Sequence, residues 1–308
     1  MASYGRPMKS AWTFGTRPDG RDVTAYRIGD AAGLHATVLD YGGILQSLVL
    51  PDGTDVTLGY STLEAYLKGD DYRGAVIGRN ANRIVGADFS IDGTRYSLPA
   101  NEGDNNLHSG PDGLDVQMWD VTRDGRALIL RHISPDGHQG FPGRLDVELR
   151  IDIKDKTLRI DMRATASAPT PVNLTWHPYW NLHGKGRIDG HDLMVASDCR
   201  TVLDCPDARP VAETRFDFRK ALPLGSVRVD DNYSNVREAV LRAGRTRLTV
   251  TSSLPDLQIY TGDALPDPRT GLALEPQFRP NDINVAGESL LRPGEVYAHW
   301  VEYAFVAK

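Results

Sequence analysis

Hydrophobic and polar positions alternate along most of this chain. Leu145, Val147, Leu149, Ile151 and Ile153 are interleaved with Asp146, Glu148, Arg150 and Asp152. After Asp155-Lys156 the alternation resumes at Leu158, Ile160, Met162 and Ala164. A period of two sends successive side chains to opposite faces, so this stretch predicts an antiparallel hairpin with one buried face. Asp92-Gly93, between Phe89-Ile91 and Tyr96-Leu98, and Asp124-Gly125, between two apolar runs, predict further hairpins. Residues from Glu295 to Val306 predict one long C-terminal strand. Helical periodicity is nearly absent; a turn or two is expected from Ser61 to Leu67, with Ser61 as cap and Glu64 three residues on. The 30 glycines and 19 prolines are spread among turns rather than gathered in a linker. The pattern therefore predicts a single all-β domain over residues 1–308, a large antiparallel sandwich or barrel-like fold with very little helix. Its ligand site is expected on a concave sheet face.

Composition narrows the partners. At 308 residues, 40% hydrophobic and 25% charged, the chain can bury a substantial core. The net charge of −6, with no basic cluster, argues against nucleic acid or an anionic membrane as partner. The first thirty residues hold no signal-like apolar segment, and nowhere do eighteen apolar residues run together, so a cytoplasmic protein is expected. Cys199 and Cys205 are too few for a disulfide framework; a bridge between them is geometrically possible, and two reduced thiols are expected. Neither lies at metal-ligand spacing from a histidine, and no metal is expected.

The chemistry concentrates in a few places. Thr175-Trp176-His177-Pro178-Tyr179-Trp180-Asn181-Leu182 sets one histidine between two tryptophans. Indole faces can stack on sugar C–H groups, and histidine moves protons near neutral pH. A second histidine closes Asn106-Leu107-His108, and Glu275 ends the strand-like Leu272-Ala273-Leu274. Ile77-Gly78-Arg79-Asn80-Ala81-Asn82-Arg83-Ile84 offers guanidinium forks and amides that suit vicinal hydroxyls. In the loop from Asp136 to Gly143, Phe141 either floors a pocket or anchors the loop, and His138 is expected to be exposed. Each feature alone has a plain alternative as a packing residue or a self-satisfied polar turn.

Taken in order, these segments resemble the aldose 1-epimerase (galactose mutarotase) family. The resemblance runs from about Ala36 to Phe305. It is carried by Leu39-Asp40-Tyr41-Gly42-Gly43, Leu58-Gly59-Tyr60, Gly78-Arg79 through Asn82-Arg83-Ile84, and Asn106-Leu107-His108. It continues through Asp136-Gly137 to Pro142-Gly143, Asn173-Leu174-Thr175 with His177, Gln258-Ile259-Tyr260-Thr261-Gly262 and Leu274-Glu275. It implies a galactose mutarotase-like supersandwich with a monosaccharide in an open cleft and no metal or organic cofactor. It further implies Glu275 as base, His177 as acid, and His108 and Arg83 on sugar oxygens, with Asn82 and Gln258 as additional contacts.

The chain departs from the family pattern in places. Asp230-Asp231-Asn232-Tyr233 replaces an expected Asp-His-x-aromatic motif; Asp230 is the expected sugar ligand and Asp231 the alternative. Trp176 and Trp180 replace the usual Asn and Phe around the acid histidine, and as expected sugar contacts they bear on which aldose is preferred. The expected chemistry is ring opening with Glu275 ionised and His177 as proton donor, in a monomer or homodimer. Three alternatives remain open at this stage. A hexose-6-phosphate 1-epimerase would use Arg79 or Arg73 for phosphate, a glycoside hydrolase would pair Glu275 with Asp230, and a non-catalytic sugar-binding protein would need neither Glu275 nor His177.

Overall fold

The computed structural model describes residues 10–202 and 205–307, leaving aside the side chains of residues 202, 205 and 206. The alternating segments form the strands they predict. Leu145–Lys154 pairs with Thr157–Ala166 across a two-residue turn, and Asp88–Ile91 pairs with Thr94–Ser97 across Asp92-Gly93. The third hairpin turns on Gly125-Arg126, one residue later than expected, because Asp124 still pairs with Ala127. The C-terminal strand runs Tyr297–Val306 and sits between Thr157–Ala166 and Thr246–Ser252 in a nine-stranded antiparallel sheet. A six-stranded sheet and a four-stranded sheet complete the main layers. Among the described residues the α-helices are Leu63–Lys68 and Asp282–Val285. The first is capped by Thr62, not Ser61, because Leu63 and Tyr66 form its buried face and the helix starts one residue later. Its Oγ1 accepts from the Ala65 N–H at 3.4 Å.

The largest core cluster joins these sheets, with Val38 and Leu48 from the four-stranded sheet, Leu149 and Val301 from the nine-stranded one, and Ile259 and Leu274 from the six-stranded one. In the six-stranded sheet one face is thus committed to the core. The other face carries polar side chains, and there the site forms. No helix among the described residues is long and apolar enough to cross a membrane. Cys199 is a free thiol, and the side chain of Cys205 lies outside the described residues.

Packing decides two alternatives that the sequence leaves open and corrects one expectation. Arg79 is 2% exposed, and all three of its guanidinium nitrogens are engaged internally. Nε donates to Ser134 Oγ at 2.9 Å, Nη1 to the Pro142 carbonyl at 3.0 Å, and Nη2 to the carbonyls of Ser134 and Pro135 at 3.0 and 2.7 Å. It pins the 134–142 loop and has no fork left for a phosphate. Phe141 is fully buried against Phe89, so it anchors that loop rather than flooring a pocket. His138 is not free in solvent; its ring bridges Ser134 Oγ at 3.0 Å and Asp112 Oδ2 at 2.9 Å.

Arg79→Met should remove the Arg79 donor from the carbonyls of Ser134, Pro135 and Pro142, of which Pro135 keeps the His138 N–H, and each buried acceptor left unpaired costs about 1–3 kcal/mol. Urea unfolding should show a clearly lower midpoint at unchanged m-value; an unaltered midpoint would contradict this account of the loop.

Candidate active site

Alternation in the six-stranded sheet builds the site. Glu275 lies in Leu272–Gln277 directly opposite Gln258 of Asp256–Tyr260. Tyr260 pairs with Asp230 on one side and with Ala273 on the other, and Ala273 pairs with Tyr179. Glu275, Gln258, Tyr260, Asp230 and Tyr179 therefore share one face. The intervening residues Leu274, Ile259 and Leu257 enter the core. A cavity of about 310 Å³ covers this polar face, and Asn82, Arg83, His108 and His177 complete its wall.

The histidines arrive from backbone hydrogen bonding of another kind. His177 follows the strand Thr175–Trp176, and its N–H donates to the Ala75 carbonyl at 2.9 Å. Arg83–Ile84 pairs with Asn106–Leu107, and His108 follows with φ 53°. The Asn82 backbone N–H donates to His108 Nδ1 at 3.1 Å. With Nδ1 accepting, a neutral His108 carries its proton on Nε2 and can donate to a ligand oxygen. The two imidazoles meet edge to face at 5.7 Å, and Tyr72 packs on His108 at 4.6 Å.

At the centre, His177 Nε2 is 3.4 Å from Glu275 Oε1, with both side chains buried. Glu275 Oε2 and His177 Nδ1 are buried with no partner in the protein. Burial drives the Glu275 carboxyl well above its usual 4.5; the Asp230 charge adds to this, and Arg83 opposes it. Burial likewise lowers His177 from 6.5 to about 4 and holds His108 well below 6.5. Burial thus favours the neutral form of each group, because neither has the solvent or partners to support its charge.

Of the other expected contacts, Gln258 Nε2 donates to Asp230 Oδ1 at 2.7 Å. Asp230 is open to the cavity mouth although protein packs densely around its carboxyl, and burial raises its pKa against the pull of Arg83. Asp231, one residue on, must face the other way; it pairs with Arg200 at 2.7 Å, and Arg200 lies over Phe216. Asp230 is the residue that reaches the cavity. Arg83 grips Glu102 in two hydrogen bonds of 2.7 Å, a pairing with no signal in the sequence.

Trp176 and Trp180 do not reach the cavity. Both are 0% exposed, since residues 176 and 180 fall on the core side of the alternation that turns His177 and Tyr179 inward to the site. Trp176 Nε1 donates to the Gly43 carbonyl at 3.1 Å, and Trp180 packs on Tyr303 and Phe305. The aromatic lining comes instead from Tyr72, Tyr179 and Tyr260. Tyr179 and Tyr260 could have been found as the i+2 neighbours of His177 and Gln258. Among the described residues no group of three or more His, Cys, Asp or Glu is placed to hold a metal ion.

A hollow of about 350 Å³ also lies across the strands Ala127–Ser134, Leu145–Lys154 and Thr157–Ala166. Arg131 and Glu148 there pair with each other at 2.7 Å, and it has no counterpart to the buried acid–imidazole pair.

Known proteins resemble this chain in sequence and in fold. The sequence model of the family described as aldose 1-epimerase matches residues 24–304. The chain is 33% identical to a galactose mutarotase of Sus scrofa over 95% of this chain and 97% of that protein. It is also 33% identical to an aldose 1-epimerase of Escherichia coli strain K12, over 94% of this chain and 97% of that one. The crystal structure of a galactose 1-epimerase from Lactobacillus acidophilus superposes with a TM-score of 0.88 at 27% identity, covering 96% of this chain and 98% of that one.

If the tryptophans are core residues, Trp180→Ala should destabilise by about 3–5 kcal/mol, as large core truncations do. Trp180→Phe should be much milder, since the Trp180 Nε1–H is buried without a partner. Monosaccharide affinity should be unchanged in a folded Trp180→Phe; a large affinity change at preserved stability would return Trp180 to the site.

Proposed function

The chain belongs to the aldose 1-epimerase family, and from that premise we propose that it interconverts the α and β anomers of free aldoses by proton transfer through Glu275 and His177. It is an isomerase acting on carbohydrate. The observation that supports this reading most directly is the buried Glu275–His177 contact of 3.4 Å, with Glu275 Oε2 left without a protein partner. Buried polar atoms are nearly always bonded, so an orphan on a cavity wall is a place held for a ligand hydroxyl.

A pyranose opens when the anomeric hydroxyl loses its proton and the ring oxygen gains one, with cleavage of the bond between C1 and that oxygen. Glu275 as carboxylate takes the first proton and His177 as imidazolium supplies the second. Opening leaves a carboxylic acid, a neutral imidazole and the open-chain aldehyde. Rotation about C1–C2 and the reverse transfers then close the ring to either anomer. One proton circulates and none is consumed. The neutral pair favoured by burial is the form that accompanies the open-chain sugar, so the site stabilises the enzyme side of that intermediate. Before opening, the proton must pass from Glu275 to His177, and sugar hydroxyls entering the cavity supply the polar contacts that the charged pair lacks when empty. His108 Nε2–H, Arg83, Asn82, Asp230 and Gln258 hold the remaining oxygens, and Tyr72, Tyr179 and Tyr260 offer apolar faces to the ring.

The charges in the cavity favour a neutral sugar over a sugar phosphate. Arg83 shares the cavity lining with Asp70, Asp71, Glu102, Asp230 and Glu275. Arg73 lines a neighbouring cavity and is committed to Asp71 at 2.7 Å, while Arg79 is buried in the loop contacts described above. We read the protein as a cytoplasmic enzyme that works as one β-sandwich unit, monomeric or homodimeric, without nucleic-acid or membrane partners. The net charge of −6 supports the absence of polyanionic partners.

Polarimetry on freshly dissolved α-anomers should show acceleration over buffer, and Glu275→Gln should cut kcat by about 10²–10⁴ while binding survives. A Glu275→Gln enzyme with near-wild-type turnover would move the base elsewhere. The profile of kcat/KM against pH provides an independent check. The active form holds one proton on the pair. A second proton binds at the depressed His177 value, so activity should persist through pH 6.5 and fall only towards pH 4. On the basic side it should fall as Glu275 loses its proton, a limb that burial moves up from the ordinary carboxylate range. An acidic limb centred near 6.5 would show that burial does not control His177.

A further inference from the structure

Glu102 lies outside the proton-transfer chemistry, yet its carboxylate fixes the orientation of Arg83. Arg83 Nε donates to Glu102 Oε2 and Nη2 to Glu102 Oε1, each at 2.7 Å. A planar guanidinium held by two parallel bonds has its plane fixed. Nη1 reaches only the Asn82 Oδ1 at 3.4 Å, which leaves this edge of the fork for a ligand. The Arg83 side chain is 15% exposed and that of Glu102 36% exposed, so the pair closes the cavity wall from outside inward.

The loop bearing Glu102 is tied to its neighbours by hydrogen bonds. Glu102 and Asn105 exchange backbone hydrogen bonds of 3.2 and 3.0 Å around Gly103, whose φ is +57°. Asn101 bonds both the N–H and the carbonyl of Leu107, next to His108. Leu107 in turn pairs with Arg83 across the short ladder. One small unit thus holds Glu102, Arg83 and His108 in fixed relation.

We propose that Glu102 is a positioning residue that presents Arg83 to the sugar and keeps the guanidinium from swinging onto the cavity carboxylates Asp230 and Glu275. This rests on the aldose reading of the site. Released from Glu102, Arg83 would have Asp230 and Glu275 as its remaining carboxylate neighbours in the cavity, since both already interact with it electrostatically. Pairing there would occupy the fork and draw the Glu275 carboxyl towards its ionised form. The other titratable groups facing Glu275 are His177, Tyr179 and Tyr303, which Glu102→Gln leaves in place.

The test compares the full-length wild type with Glu102→Gln and Glu102→Asp, using polarimetry for turnover and calorimetry for aldose binding. Glu102→Gln should raise KM and weaken binding by about tenfold or more, the size expected when a charge-assisted contact is lost. It should shift the basic limb of kcat/KM to lower pH, with the thermal midpoint little changed. Glu102→Asp should recover part of the binding. Unchanged KM, binding and pH profile in Glu102→Gln would overturn the proposal and leave the aldose reading standing, as would a fall in thermal midpoint alone. Binding without turnover in the wild type would refute the epimerase reading while the Glu102 comparison is still decided by calorimetry. A wild type that neither binds nor turns over any free aldose overturns both.

Discussion

A β-strand sends alternate side chains to opposite faces, and in Leu272–Gln277 this places Glu275 under the cavity while Leu272 and Leu274 enter the core. The six-stranded sheet therefore serves as both core wall and reaction floor. Shifting the register by one residue would bury Gln258 and Asp230 in the core and expose Ile259 and Leu257, so hydrophobic burial itself enforces the catalytic arrangement. The core that joins the three sheets holds the reacting groups still.

That rigidity has an electrostatic consequence. Glu275 and His177 sit where water does not compensate their charges, and each is pushed towards its neutral form. In an acid–base pair, opposite shifts of this kind leave one mobile proton between two groups across a broad range of pH. Arg83 and Asp230 then act as opposing trims on the glutamate, the first favouring the carboxylate and the second the acid. Glu102 belongs to the same balance because it determines how much of the Arg83 charge the cavity experiences.

Much of this was legible in the sequence, for identifiable reasons. Period-two alternation over Leu145 to Ala164 fixes two strands and their turn, because half-buried strands tolerate little else. Ordered motifs around Arg83, His108, His177, Asp230, Gln258 and Glu275 point to residues that the fold brings to one cavity. What failed was the side on which a residue falls. Trp176 and Trp180 look like sugar platforms because they flank His177, but flanking residues on an extended segment point away from it. Arg79 looks as available as Arg83 four residues later, and only packing against the 134–142 loop distinguishes them. Glu102 carries no local pattern at all; its partner is 19 residues away and is recognisable only once the loop is folded.

The central claim is that burial leaves Glu275 protonated and His177 neutral in the free enzyme. Difference infrared spectroscopy of wild type against Glu275→Gln at neutral pH, with nitrogen NMR of the His177 ring, reads both halves of the pair. The account predicts a protonated-carboxyl stretch that disappears in Glu275→Gln and a neutral imidazole at His177. A carboxylate signal from Glu275 together with an imidazolium at His177 would contradict it.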